Sequence, residues 1–434
     1  MLVAVEWFNK IISAVLTICF GYQIVYALLG VFIHQKKMTT KKRYKYAVLI
    51  SARNEEAVIG ELIKSLKTQN YPKNLLKVFV CADNCTDQTA LIAKNAGAIV
   101  YERNNREQIG KGYALGFLLS KIRGDYKKER FDGYFVFDAD NIADRNFVSH
   151  MNTVFAKGYR VVTGYRNSKN FGTNWISAGY GVWFLRESKL LNNVRMKLGI
   201  SAMVSGTGFL ISSDIIERNN GWKHTLLTED LEFSIDCIIS GERIAYCEKA
   251  MFYDEQPTTF NTSFFQRIRW VKGDYQVFAR YGLSLFKEIF KRKSLGLFDI
   301  FISISPAMLL TFIGILVNLT FCIFAPAILN KPITVMLVAL GAIVIQVVAF
   351  CLSMLLFSFL TVISEWKNIR ATVHEKISSI LTFPIYVLTY LPISIAALFM
   401  KVDWKPIVHT KMGLGEKKIR KVRVLKNKGD EYVG

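Results

Sequence analysis

The chain has 434 residues, which exceeds a typical domain of about 100–200 residues and predicts more than one folding unit. Its formal net charge is +22, from 56 Lys and Arg against 34 Asp and Glu. The basic residues flank apolar segments, which indicates membrane lipids as the partner and no nucleic acid. The seven cysteines lack the spacing of a zinc or disulfide framework, so they predict a reduced, cytoplasmic environment.

Four segments without Asp, Glu, Lys or Arg are long enough to cross a bilayer, which takes about 20 apolar residues. They are residues 11–33, 300–330, 332–364 and 377–400. The first has no typical cleavage site before its basic flank, so we interpret it as an uncleaved anchor. The basic residues between the first two segments are Lys36, Lys37, Lys41, Lys42, Arg43, Lys45, Lys287, Lys291, Arg292 and Lys293. The positive-inside rule therefore predicts a multi-pass plasma-membrane protein with a cytoplasmic middle.

The C-terminal tail conflicts with this simple layout. One crossing before the polar middle and three after it would place the tail on the opposite side, although the tail is basic. Its basic residues include Lys417, Lys418, Arg420, Lys421 and Arg423. Two interpretations stay open: the segment containing Pro384 and Pro392 is re-entrant, or the tail is exported.

Residues 44–281 alternate β-rich runs with helical patterns, which is typical of a wound α/β sheet. Strands are predicted at residues 46–51, 77–82, 98–102, 134–138 and 160–163, and helices near Glu55, Thr86, Lys111 and Arg145. The predicted organisation is an anchor (1–40), a cytoplasmic α/β domain (41–260), interfacial amphipathic helices (261–297), a membrane bundle of about three segments (298–400) and a basic tail (401–434). Ligands of such sheets bind at the carboxyl ends of strands.

Polar clusters follow the first two predicted strands. Asn54 and Glu55 open a helix whose backbone amides suit a nucleotide, although such residues are often only caps. Asp83 could accept a hydrogen bond from a nucleobase or ribose, or simply form a turn, and Thr86 is its helix N-cap. Lys111, between two glycines, suits a phosphate or base contact.

Two carboxylates end the fourth predicted strand. Alternation along the strand would send Asp138 and Asp140 to the same side, where they repel each other unless a cation lies between them. A divalent ion that bridges to a diphosphate fits, because Mg²⁺ and Mn²⁺ prefer hard oxygen ligands and phosphates. A solvated turn is the alternative.

The fourth cluster is Thr228-Glu229-Asp230, before a helix with apolar residues at helical spacing. Thr228 would be the N-cap, which leaves Glu229 and Asp230 in the first turn. The helix dipole favours acids there, so capping alone could explain them.

A last pattern combines an amide, a guanidinium and an indole. Gln266, Arg269 and Trp270 have i, i+3 and i+4 spacing and therefore share a helical face. Arg can neutralise a leaving diphosphate and an indole can support a sugar ring. The interleaved aromatic and basic residues of 264–281 also suit a helix on a membrane surface, which is the competing explanation.

Taken in order, these motifs resemble the inverting family 2 glycosyltransferases of the GT-A fold, especially processive membrane synthases such as hyaluronan, poly-N-acetylglucosamine and cellulose synthases. The similarity covers about residues 44–281 and the flanking membrane layout. It implies a Rossmann-like α/β GT-A cytoplasmic domain with α-helical transmembrane segments. The chain departs from several of these synthases in having one N-terminal membrane segment instead of two, and Asp83-Asn84 replaces a common Asp-Asp pair.

The resemblance also implies roles for single residues. It assigns Asp83 to the nucleotide, Asp138 and Asp140 to the nucleotide and its Mn²⁺ or Mg²⁺, and Asp230 to the catalytic base beside Glu229. Gln266, Arg269 and Trp270 match the QxxRW signature of the diphosphate site and acceptor end. The segment that resembles the family's acceptor-side loop contains Gly206, Thr207 and Gly208.

The implied reaction is transfer from a UDP-sugar, UDP-glucose or UDP-N-acetylglucosamine, to a growing β-linked polysaccharide that is secreted across the membrane. Single transfer to a membrane lipid is the alternative, and an accessory subunit is left open. A membrane protein that only senses nucleotide is disfavoured, because charges that converge on one cleft usually mark chemistry.

Overall fold

The computed structural model describes residues 2–32, 38–328 and 332–402, together with His409. Lys36, Lys37 and the basic residues predicted for the tail lie outside the described residues. Eight strands form one sheet. They are β1 (Tyr46–Ala52), β2 (Leu76–Asp83), β3 (Ile99–Arg103), β4 (Gly133–Asp138), β5 (Ile142–Ala143), β6 (Val161–Ser168), β7 (Phe209–Ser212) and β8 (Ile244–Asp254).

Helices cover both the α/β domain and the membrane region. They are α1 (Leu2–Phe32), α2 (Ile59–Lys67), α3 (Thr89–Asn95), α4 (Lys111–Asp125), α5 (Phe147–Phe155), α6 (Trp175–Arg186), α7 (Asn193–Leu198), α8 (Ser213–Arg218), α9 (Glu229–Ile239), α10 (Phe260–Arg292), α11 (Leu295–Ile304), α12 (Ala307–Ile328), α13 (Pro332–Ser364), α14 (Val373–Leu388) and α15 (Tyr390–Phe399). A 3₁₀ turn spans Lys73–Leu75 and a π-helical turn spans Glu187–Asn192.

The sheet is mixed, with the order β3-β2-β1-β4-β7-β6-β8-β5. β3, β2, β1 and β4 are parallel neighbours, whereas β7 is antiparallel to both β4 and β6. β1 and β4 are almost continuous apolar runs because helices cover both faces of the sheet. The carboxyl ends of β2, β1 and β4 therefore meet at one edge of the sheet, as predicted for a wound α/β domain.

Four helical segments are long and apolar enough to cross a membrane: Leu2–Gly30, Ala307–Pro326, Ile333–Ser364 and Val373–Phe399. They correspond to the four charge-free segments of the sequence. α1 packs along α12 and α13, where Asn9 and Asn318 exchange side-chain hydrogen bonds at 2.9 and 2.8 Å. Val5 is buried in a small cluster with Ala325, Val335 and Ala339. These three helices form one packed unit.

The segment α14–α15 begins and ends at the α/β domain. Just after α13, Glu365 accepts a hydrogen bond from Tyr165 and pairs with Lys189 at 3.5 Å. Beyond α15, His409 Nδ1 lies 2.9 Å from Glu55 Oε2. Because residues before and after the segment contact the same domain, the geometry favours a re-entrant α14–α15 over an exported tail.

Candidate active site

A cavity of about 540 Å³ lies at the carboxyl edge of the sheet and continues to the membrane helices. The ends of β1, β2 and β4, the first turn of α9 and one face of α10 line it. On the membrane side, its wall includes Phe20 of α1, Met308 of α12 and Tyr390 of α15. One continuous space therefore joins the sheet edge to the membrane region.

Asp83 lies in the wall at the end of β2. Its Oδ1 accepts hydrogen bonds from Arg103 Nη1 at 2.6 Å and from Asn84 Nδ2 at 3.1 Å. Arg103 ends β3, which pairs with β2 so that the two residues are in register. Both bonds use Oδ1, which leaves Oδ2 for a ligand as far as the described residues show.

Asn54 and Glu55 have different surroundings. Asn54 has a left-handed backbone with φ of 57° and accepts a hydrogen bond from the Thr86 backbone N–H at 2.8 Å, outside the cavity wall. Glu55 lines the cavity, and burial raises the pKa of its carboxyl. Thr86 does not cap a helix, contrary to our prediction, because α3 begins at Thr89 after Gln88. Asn54 therefore stabilises the neighbouring loop.

Lys111 and Asp138 form an ion pair in the wall. Lys111, at the first position of α4, also donates to the Gly206 carbonyl at 2.6 Å and lies 3.9 Å from Glu229 Oε1. Burial disfavours its charge, but the carboxylates of Asp138 and Glu229 outweigh this and raise the pKa of Lys111. The cation therefore joins the end of β4 to the start of α9.

Asp140 lines the same cavity as Asp138, but the alternation of side chains along a strand does not place it there. β4 ends at Asp138, and Asp140 belongs to the turn that follows. Its Oδ2 accepts the Glu255 backbone N–H at 3.1 Å and lies 3.9 Å from His409 Nε2. Asp138 and Asp140 therefore line the same cavity, as predicted. The turn after β4 places Asp140 there, whereas we had expected both residues on one face of the strand.

Within the segment 205–208, Ser205 and Gly206 line the cavity, whereas Thr207 and Gly208 lie behind its wall. Gly206 lines the cavity with φ of +77°, and a Cβ on it would lie 3.6 Å from Asp230 Oδ2. Thr207 is buried behind the wall, where its Oγ1 accepts the Asp138 backbone N–H at 2.9 Å. Gly208 packs against the Phe252 ring. Thr207 and Gly208 therefore shape the wall from behind.

Glu229 and Asp230 begin α9 and both line the cavity. Burial raises the pKa of Glu229 to about 7, and the Lys111 charge opposes this rise. Burial likewise raises the pKa of Asp230, again opposed by Lys111. A carboxylate whose pKa is raised toward neutrality is suited to accept a proton from a hydroxyl group.

Thr228 occupies the N-cap position of α9, as predicted, but its side chain makes no capping hydrogen bond. Its buried hydroxyl has no hydrogen-bond partner within the described part of the chain and packs against Gly273 of α10. A Cβ on Gly273 would come within 2.6 Å of Thr228 Cγ2 and 2.9 Å of its backbone N. Gly273 thus permits α10 to touch the start of α9.

One face of α10 supplies Gln266, Arg269 and Trp270 to the cavity. Trp270 packs edge-on against Tyr180, with ring centroids 5.7 Å apart. Gln266 Oε1 is buried without a hydrogen-bond partner among the described residues. These three side chains line the cavity. Their spacing on α10 therefore places them in the candidate site, whereas the competing explanation was a helix on the membrane surface.

Comparison with known proteins decides the family. The family described as glycosyltransferase like family 2 matches residues 43–273, more than half of the chain. The chain belongs to glycosyltransferase family 2. The matched range contains the strand ends, the start of α9 and the Gln266–Trp270 stretch, and it confirms the resemblance seen in the sequence.

Curated relatives of this glycosyltransferase differ in product. It is 28% identical over 282 residues to "Probable glycosyltransferase YdaM" of Bacillus subtilis, covering 60% of this chain and 62% of the relative. It is 28% identical over 247 residues to the beta-monoglucosyldiacylglycerol synthase of Nostoc sp. (54% and 50%). It is 24% identical over 253 residues to the poly-beta-1,6-N-acetyl-D-glucosamine synthase of Staphylococcus aureus (55% and 57%). The match thus spans half to under two thirds of these relatives.

The fold has a counterpart among solved structures. The mannosyltransferase PcManGT from Pyrobaculum calidifontis, in complex with GDP-Man and Mn²⁺, superposes with a TM-score of 0.53 at 16% identity. The likeness covers 90% of this chain and 99% of that chain. The glycosyltransferase therefore has the predicted GT-A-like fold, with apolar helices in its C-terminal region.

The cavity wall suits a divalent cation that a substrate helps to bind. Among the described residues, no group of three or more His, Cys, Asp or Glu side chains could hold a metal by itself. Asp138 and Asp140 offer carboxylate oxygens, and buried Asp254 Oδ1 in the same wall has no hydrogen-bond partner. Mg²⁺ is typically held by one or two carboxylates together with substrate phosphates, so this donor set fits.

Several residues of the cavity were missed by the sequence analysis. They are Arg166, Glu187, Asp254, Asp274 and His409, which line it, and Arg103, which supports Asp83 from outside the wall. Arg166 Nε donates to Asp254 at 2.7 Å and Nη1 to the Ser205 carbonyl at 2.9 Å, which anchors the loop before Gly206. The carboxylates of Asp140 and Glu55 outweigh burial and raise the pKa of His409 to about 9. Of these residues, only Asp274 could have been found from the sequence, because it lies four positions after Trp270 and therefore on the same face of the helix.

Proposed function

We propose that this glycosyltransferase transfers glucose or N-acetylglucosamine from a UDP-sugar to a growing β-linked polysaccharide, processively and with inversion. One observation carries the proposal: the cavity that contains Asp138, Asp140 and Asp230 continues to the membrane helices. A sugar nucleotide at the sheet edge and a polymer end on the membrane side can therefore meet at Asp230.

The donor would bind along the sheet edge. Asp83 would accept a hydrogen bond from the nucleoside. Asn54 and Glu55 lie in the adjoining loop after β1, and Lys111 begins α4 beside it. Asp138 and Asp140 would hold Mn²⁺ or Mg²⁺, which neutralises charge on the diphosphate when bound. Lys111 would add a second positive charge near the same phosphates.

The transfer would be a single in-line displacement at the anomeric carbon. The bond from the acceptor oxygen to that carbon forms while the bond to the UDP oxygen breaks. Asp230 takes the acceptor proton as general base, with Glu229 beside it. Arg269 stabilises the charge that develops on departing UDP, and Trp270 supports the acceptor sugar.

A lipid acceptor is the second candidate. Its support is that α1, α12 and α15 contribute to the cavity wall, and that some relatives are named beta-monoglucosyldiacylglycerol synthases. In that case the same base would act on a lipid hydroxyl at the bilayer surface, and one sugar would be transferred.

We also propose that the α/β domain is cytoplasmic in the plasma membrane. The basic residues between α1 and β1 support this, because such residues remain on the cytoplasmic side. They include Lys41, Lys42, Arg43 and Lys45. Secretion of the polymer would then start from the membrane side of the cavity.

Product sizing tests the proposal. Membranes with the enzyme are incubated with radiolabelled UDP-glucose or UDP-N-acetylglucosamine, with and without Mn²⁺ or Mg²⁺, and membranes with Asp230→Asn serve as control. Long, metal-dependent, enzyme-dependent material from one donor is expected. A single lipid-soluble product would favour the second candidate, and no transfer from either donor would refute the proposed donor class.

A further inference from the structure

Asp274 is an acidic side chain in the cavity with no role in the mechanism above. It lies on α10, one turn beyond Trp270, and lines the cavity. Among residues 2–32, 38–328 and 332–402, no side chain or backbone group forms a hydrogen bond or ion pair with its carboxyl. The side chain is half-buried, so its carboxyl group remains accessible from the cavity and can bind a ligand hydroxyl.

The packing of α10 places Asp274 near the catalytic base. The neighbouring Gly273 touches Thr228, two residues before Asp230, so the two helices approach closely at this point. Burial and, second, the Asp230 charge raise the pKa of Asp274 to about 8. Around neutral pH its carboxyl is then mainly protonated and can both donate and accept a hydrogen bond.

The residue that follows Asp274 contacts the membrane region. The next residue, Tyr275, donates from its hydroxyl to the Ser394 carbonyl of α15 at 3.1 Å. Asp274 therefore lies between the first turn of α9 and α15. Lys111 and Asp138, the residues proposed to contact the donor diphosphate, form an ion pair at the sheet edge. The donor phosphates therefore do not require Asp274.

We propose that Asp274 positions the acceptor: its carboxyl group binds a second hydroxyl of the molecule whose reactive hydroxyl lies at Asp230. This rests on the proposed function and makes its acceptor class more specific. A sugar ring presents neighbouring hydroxyls that can contact both side chains, whereas diacylglycerol has one free hydroxyl and offers no second hydroxyl to Asp274. The preferred acceptor is therefore a carbohydrate end, of a polysaccharide or of a glycolipid.

The test uses purified full-length enzyme with UDP-sugar and Mn²⁺. The acceptors are β-linked glucose and N-acetylglucosamine disaccharides, compared with dioleoylglycerol in mixed micelles. Slow donor hydrolysis by water, measured as UDP release without acceptor, reports the donor site and the base independently of acceptor binding. The variants are Asp274→Leu, which removes hydrogen bonding, and Asp274→Asn, which retains it. Asp214→Leu is the control, an exposed position in α8.

Loss of one hydrogen bond predicts that Asp274→Leu raises the disaccharide KM about tenfold, with kcat and donor hydrolysis within about threefold of wild type. Asp274→Asn should restore the KM to within about threefold, and the wild type should not use dioleoylglycerol. An unchanged KM in Asp274→Leu would overturn this inference alone. A preference of the wild type for dioleoylglycerol would overturn it and also favour the lipid acceptor of the second candidate function. Absence of donor turnover in the wild type would overturn the proposed function as well.

Discussion

Lys111 connects the charges on the two sides of the cavity. It pairs with Asp138 at the donor edge and lies 3.9 Å from Glu229 at the start of α9. Its charge also lowers the pKa of Asp230, against the larger effect of burial. A single cation thus favours the ionised form of the proposed base while it neutralises the donor side.

Replacing Lys111 by Met should shift the pH dependence of turnover. A base must be ionised, so activity falls as the pH drops through its pKa. Without Lys111 the pKa of Asp230 rises, and the acid limb of the kcat profile should move upward by about one pH unit. Lys121→Met, at an exposed position of the same helix, should leave the profile unchanged. An unmoved acid limb in Lys111→Met would show that Lys111 does not tune the base.

At the residue scale, the sequence predicted side chains that follow strands or share a helical face. Asp138, Asp230 and Trp270 are of this kind, because local periodicity places them. Partners from distant parts of the chain were not predictable. Arg103 reaches Asp83 through strand pairing, and His409 reaches Glu55 across 354 positions. Such contacts depend on tertiary packing that no local pattern encodes.

At the element scale, α10 joins the cavity to the re-entrant segment. Arg267, fully buried, donates from Nη1 to Thr389 Oγ1 at 2.6 Å and to the Tyr386 carbonyl at 3.3 Å. Thr389 is the residue between α14 and α15. The guanidinium lies over the Tyr386 ring at 4.7 Å. Arg267 therefore fixes the bend on the helix that carries Gln266 and Trp270.

Arg267→Lys should loosen this bend, because an ammonium group cannot reproduce the planar guanidinium contacts. We expect a loss of about 1–3 kcal/mol in the free energy of unfolding, seen as a lower thermal midpoint in detergent. Arg292→Lys, at the partly exposed end of α10, is the matched control. Equal midpoints for the two variants would contradict the structural role of Arg267.

The buried pair of Arg195 and Asp299 joins the α/β domain to α11. Nε and Oδ2 are 2.6 Å apart, and both side chains are almost inaccessible. Asp299→Leu would leave a buried cation unpaired and should cost about 3–5 kcal/mol of stability. The double variant Arg195→Met with Asp299→Leu should recover most of it, because no lone charge remains. A double variant as unstable as the single one would contradict this explanation.

The elements that the sequence predicted are those with continuous apolar runs. All five predicted strands are present, whereas β5, β7 and β8 were missed. β5 has two residues and β7 four, too short for a periodic signal, and charged residues interrupt β8. Helix starts were displaced by two to four residues at α2, α3 and α5, since turns precede these helices. α4 begins at the predicted Lys111, and α9 begins directly after its predicted N-cap Thr228.

At the scale of the whole molecule, α1, α12 and α13 pack together as one membrane unit. The segment α14–α15 is flanked by residues that contact the α/β domain, Glu365 before it and His409 after it. Beyond α15, His409 contacts Glu55 of the α/β domain, so we expect the basic tail on the side of that domain, as the positive-inside rule predicts. The sequence alone left this open, because the length and hydropathy of residues 373–399 equally suit a crossing.

Cysteine labelling tests the layout. In a variant whose native cysteines are replaced, Lys367→Cys and Lys401→Cys flank the re-entrant segment, and Lys64→Cys marks the α/β domain; all three positions are exposed. A membrane-impermeant maleimide should label all three in inside-out vesicles and none in right-side-out vesicles. Labelling of Lys401→Cys from the side opposite to Lys64→Cys would show that α14–α15 crosses the membrane.

The assignment of Asp230 as the base is the claim on which the mechanism depends. Its direct test is sugar transfer and UDP affinity of Asp230→Asn, measured with the purified enzyme, the preferred UDP-sugar and Mn²⁺. We predict a fall in kcat of about 10²–10⁴, with the Kd for UDP within about threefold of wild type. Near-wild-type turnover by correctly folded Asp230→Asn would contradict the account.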